Sequence, residues 1–143
     1  MMKPFLRSLP VALLILLFVY AATTKLTSFA EFKIQLYRQT IPHEVAAILA
    51  FVIPATELAA VALLFFGKTM LKGLYLSLSL LSVFSLYITL VVLHFWSRVP
   101  CPCGGILGHM TWTVHLAFNL LFIAVNLIAI HIQIRERRAV TSQ

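Results

Sequence analysis

Apolar residues run along this chain in four long blocks, Ser8 to Thr24, Val45 to Phe66, Leu74 to Phe95 and Thr113 to Ile134, separated by short polar stretches. Each block is close to the roughly 20 residues a helix needs to cross the hydrocarbon core of a bilayer. The expected fold is all-α, an integral membrane four-helix bundle forming a single domain over residues 1–143. The first block has a second reading as a signal peptide, because Lys3 and Arg7 precede it and Tyr20-Ala21-Ala22 offers small residues for cleavage. Three remaining spans would leave a thinner bundle.

Between the first two blocks the pattern turns amphipathic. Ser28 and Glu31 have the spacing of a capping box, Phe29, Phe32 and Leu36 recur at helical intervals, and Pro42 ends the segment. A short interfacial helix is expected here, either lying in the headgroup layer or covering the mouth of the bundle.

Composition strengthens the membrane reading, since 62% hydrophobic residues and 10% charged ones depart far from a soluble domain. The net charge of +7 is spread over loops and ends, which fits a positive-inside bias and excludes nucleic acid as a partner. Lys3, Arg7, Lys68, Lys72, Arg135, Arg137 and Arg138 fall on one side of the four spans, against Lys25, Lys33, Arg38 and Arg98 on the other. That excess puts both termini in the cytoplasm, and in a bacterial inner membrane the loop between spans three and four then faces the periplasm. Trp96 and Trp112 flank this loop as interfacial anchors.

Candidate chemistry begins inside the spans. Glu57 sits near the middle of span two, where an ionised group costs roughly 2.5–3.5 kcal/mol, so it should face protein. Ala46, Ala50, Ile53, Glu57 and Ala60 fall at four- and three-residue steps and form one narrow stripe. No cation shares that stripe, and Pro54 frees a backbone carbonyl one turn earlier, so an uncharged, hydrogen-bonding Glu57 is expected. Its role is either an interhelical hydrogen bond or proton handling. In span four His115, Asn119 and Asn126 share a face. His115 could stabilise a thiolate or bond a quinone carbonyl, or simply cap the helix end. Tyr75, Ser79, Ser82 and Thr89 form a polar face on span three and are expected to pack between helices.

The loop before span four holds the only two cysteines, Cys101 and Cys103, in the run Cys101-Pro102-Cys103-Gly104-Gly105. A disulfide between residues so close would be strained and easily reduced, which suits exchange with a partner dithiol. Two thiolates with His94 and His109 nearby would also suit copper or zinc.

Lys25-Leu26 after span one, Pro54 with Glu57, the C-P-C-G-G run, Trp112 and Asn119 together resemble the DoxX-like superfamily, in its methylamine-utilisation MauE branch. The resemblance covers essentially the whole chain in order and hydropathy. It implies a redox-associated membrane protein linked to disulfide formation in periplasmic partners and, elsewhere in the superfamily, to quinone-coupled sulfur oxidation. The expected function is thiol–disulfide exchange by Cys101 and Cys103 with a thioredoxin-like or secreted partner, with Lys25, Glu57, His115 and Asn119 as auxiliary residues and a quinone as candidate acceptor. A copper-handling protein and a non-catalytic subunit of a larger complex are the alternatives.

Overall fold

The computed structural model describes residues 4–95 and 111–141. These form α1 (Pro4–Thr27), α2 (Phe29–Tyr37), α3 (His43–Phe65), α4 (Met70–Val92) and α5 (Trp112–Thr141), with no strand among the described residues. The four long helices each contain a stretch apolar and long enough to cross a membrane, at Ser8–Thr27, His43–Phe65, Met70–Val92 and Trp112–Val140. The all-α bundle with a short helix between its first two spans is therefore present.

Packing closes a ring in which α3 lies between α1 and α4, and α5 between α4 and α1. Leu14, Leu64 and Leu74, at 0%, 1% and 0% exposure, join Val11, Phe18, Leu81, Ala129 and Ile130 in one core drawn from all four spans. The opposite surface is Leu16, Ile48, Phe51, Val83, Leu86 and similar residues left exposed, as a lipid-facing exterior requires. Gly73 lets α4 start directly against the end of α3, since a Cβ there would stand 2.7 Å from the Leu64 backbone nitrogen. Thr69 Oγ1 closes the short turn between them by donating to the Leu63 carbonyl at 2.9 Å.

α2 departs from a simple surface helix. Phe29 meets Phe51 with ring centroids 5.0 Å apart, and Tyr37 meets His43 at 5.3 Å. Eight residues separate the contacts on each of the two helices, so α2 lies antiparallel along the first turns of α3 for about 12 Å. Phe32 and Leu36 are buried there against Ala46, Ala50 and Ile53. The short helix expected between the first two spans is present, and its contacts run along the flank of α3. The end of α1 consequently stands about 20 Å along α3 from His43, beside the middle of that helix, and α1 and α2 together line α3 as one interrupted span.

The expected capping box at Ser28 does not form, because its side chain makes no cap hydrogen bond. The backbone gives the reason: Ser28 N donates to Thr24 O at 3.3 Å and Phe32 N to Ser28 O at 2.9 Å, so the ladder nearly continues from α1 into α2 and few amides need a cap.

Candidate functional site

The stripe read from the spacing on α3 is its buried face. Ala46, Ala50 and Ala60 are fully buried, Ile53 nearly so, and Glu57 is 2% exposed. Its upper half, Ala46 to Ile53, is covered by α2. Immediately below α2, where α1 ends, the stripe reaches Glu57.

There the sequence expectation of a carboxyl without a cation is overturned. Lys25 Nζ lies 2.8 Å from Glu57 Oε1, with side-chain exposures of 16% and 3%. The ammonium also donates to the Ala21 carbonyl at 3.2 Å and stands 5.9 Å from the centroid of the Phe32 ring. Each contact follows from local sequence. Lys25 occupies the last turn of α1, where unpaired carbonyls and the negative end of the helix dipole favour a cation. Phe32 comes from α2, and the small Ala residues of α3 let both approach. The counter-charge was invisible along α3 because it arrives from another helix, and the early Lys25 that the sequence singled out is its source.

On α5, Asn119 and Asn126 are buried at 6% and 0% exposure, and His115 is half-buried within electrostatic reach of Lys25. Asn126 ties α5 to α4. With its side-chain nitrogen donating to the Leu74 carbonyl at 3.1 Å, its oxygen accepts from the Ser77 hydroxyl at 2.6 Å. At the other end of α4 the Tyr87 hydroxyl donates to Gln39 Oε1 at 2.7 Å, and the Tyr87 ring meets Trp112 edge-on at 6.5 Å. The α2–α3 turn, the last turns of α4 and the first turn of α5 thus share one end of the bundle.

The polar face expected to pack on α4 mostly does not, Thr89 alone among its four residues being half-buried. Tyr75, Ser79 and Ser82 are exposed, and the buried face is Gly73, Leu74, Ser77, Leu81, Ser85, Ile88 and Val91. Ser79 shows why lipid tolerates it: its hydroxyl donates to Tyr75 O at 2.9 Å in its own helix, so no polar group is left bare. The sequence reading passed over Ser77 and Ser85, whose signal was their step of eight residues in phase with Leu74, Leu81 and Ile88.

Cys101, Cys103, Trp96 and His109 lie outside the described residues. His94 is exposed at the end of α4 with φ 53, the left-handed conformation of a helix-terminating residue. Among the described residues no three His, Cys, Asp or Glu side chains gather as metal ligands.

The family model described as methylamine utilisation protein MauE matches residues 2–132 of the chain. Comparison with curated proteins and with solved structures gives no match.

Proposed function

The chain belongs to the MauE family, and from that premise we propose that it is a membrane thiol–disulfide redox protein working through Cys101 and Cys103. In the exchange, a thiolate attacks one sulfur of a disulfide, a mixed disulfide with the partner forms, and the second thiol of the attacking pair releases it. Two electrons and two protons change hands between the Cys101/Cys103 pair and a thioredoxin-like or secreted dithiol on the periplasmic side of a bacterial inner membrane. A membrane quinone is the second substrate, taking or giving the same two electrons and two protons. Lys25, His115 and Asn119 are hydrogen-bond donors of the kind a quinone carbonyl accepts.

The observation that carries this reading is the family membership combined with the location of the loop's two ends. α4 and α5 meet through Tyr87 and Trp112 at the same end of the bundle as the α2–α3 turn, so the segment bearing the cysteines starts and finishes there. Lys25 and Glu57 lie inward from that end.

Two measurements test the proposal. An impermeant maleimide added to intact cells after mild reduction should label Cys101 or Cys103; labelling only after lysis reverses the orientation and puts the pair in a reducing compartment. A Cys101→Ser or Cys103→Ser variant should accumulate a mixed disulfide with a periplasmic protein. A pair that never oxidises against glutathione buffers but binds Cu(I) stoichiometrically would replace this function with metal handling.

A further inference from the structure

A carboxylate has two oxygens, and in Glu57 only one is used. Oε1 takes the Lys25 ammonium, while Oε2 is buried with no hydrogen-bond partner among the described residues. A bare carboxylate oxygen in a hydrocarbon interior is costly, and such groups in native structures are usually met by water. Three other buried oxygens share its condition: Tyr20 OH on α1, Thr40 Oγ1 in the α2–α3 turn and Ser85 Oγ on α4. They come from separate elements, so no single local distortion accounts for them.

Their order along the bundle axis is informative. Gly73 rests on Leu64 where α3 and α4 part in opposite directions. From that contact Glu57 is about 10 Å along α3 and Ser85 about 18 Å along α4. Thr40 lies further on, beside the Gln39 to which Tyr87 is bonded. Thr40, Ser85 and Glu57 therefore descend in steps from the α2 end to the ion pair, and Tyr20 stands about 7 Å beyond Lys25 on α1. Below the ion pair Ser77 and Asn126 satisfy each other, and beyond Tyr20 the residues Leu14, Leu64 and Leu74 close the core.

We propose that a file of water enters the bundle from the α2 end alone and that Glu57 Oε2 exchanges protons with it, Lys25 serving as the fixed counter-cation. In the step, hydronium at Oε2 gives its proton to the carboxylate and leaves as water. The Oε1 side stays bonded to the ammonium, which keeps its protons through Oε1 and the Ala21 carbonyl. Uptake turns a neutral pair into a site of charge +1. The groups facing the site are Lys25 from α1, the Phe32 ring from α2, the uncharged Ser85 stripe of α4 and, within electrostatic reach of Lys25, His115 of α5. This inference is independent of the thiol chemistry and stands or falls without it.

Infrared difference spectroscopy of the full chain in lipid nanodiscs tests it. All four acidic side chains are glutamates, at 31, 44, 57 and 136, so Glu31→Gln/Glu44→Gln/Glu136→Gln leaves Glu57 as the sole side-chain carboxyl without touching the site. Acidification should raise a protonated side-chain carboxyl C=O band in this triple variant, lost when Glu57→Gln is added to it. On a jump into D2O the band should shift as fast as mixing allows, while the amides of the helices remain protected. Ser85→Val, which removes the hydroxyl and narrows the path, should abolish the fast shift. A Glu57 band that deuterates only with the buried amides, no Glu57 band at all, or fast exchange unchanged in Ser85→Val would each overturn the proposal.

Discussion

Removing Lys25 should harm the protein more than removing Glu57, and removing both should harm it least. At 2.8 Å the two charges attract by about 6 kcal/mol for an effective dielectric constant of about 20. Desolvating both ions costs several kcal/mol each, so the intact pair nets close to zero against an apolar replacement. Breaking it from one side is different. Lys25→Met leaves a carboxylate that is only 3% exposed without its counter-cation, with an expected cost of about 3–5 kcal/mol. Glu57→Leu strands an ammonium on a flexible four-carbon stem, already 16% exposed and still bonded to the Ala21 carbonyl, so about 1–3 kcal/mol is expected. Lys25→Met/Glu57→Leu should return to within about 1 kcal/mol of the parent. Unfolding in mixed dodecyl maltoside and SDS micelles, followed by circular dichroism, measures all four proteins on one scale. A double variant that loses as much as the two single variants together would refute the coupling, and a Lys25→Met protein as stable as the parent would show that no charge had been stranded.

Gly73→Ala should cost about 1–3 kcal/mol in the same assay, because the new methyl would meet backbone at 2.7 Å and 2.9 Å rather than a side chain able to turn aside; unchanged stability would mean that α3 and α4 separate freely. Ser77→Ala should cost only about 0.6 kcal/mol, since Asn126 keeps its bond to the Leu74 carbonyl. A loss of several kcal/mol there would mark the Asn126 contact as the main tie between α4 and α5.

The four spans were legible because membrane-crossing helices announce themselves by length and hydropathy, and the α3 stripe because Ala46, Ala50, Ile53, Glu57 and Ala60 keep helical phase. The ion pair was not, since its partners are 32 residues apart and meet only because α1 stops beside the middle of α3. Nothing in a single span's periodicity encodes where a neighbouring helix ends. The face of α4 was misjudged for another reason. A serine in a membrane helix can satisfy itself on its own backbone, as Ser79 does, so hydroxyls do not point reliably inward. A buried glycine at Gly73 was the better sign of the packed side. At Ser28 the residue types of a capping box were present, but the nearly continuous backbone ladder left them no task.

The interruption between α1 and α2 also has a bearing on how the protein is made. A ribosome adding about 5–20 residues per second delivers Glu57 some 2–6 s after Lys25, so the first helix enters the bilayer with its ammonium unmatched. During that interval the lysine stem reaches up to the headgroups and holds the helix end near the surface. Once α3 emerges and brings the carboxylate, the end of α1 can sink beside it, drawing the first residues of α2 down along the new helix. A pulling-force profile from an arrest peptide should register this descent as a peak when α3 leaves the ribosome, lost in Glu57→Leu. The depth of the earliest helix in the membrane is on this account fixed by a residue synthesised after it.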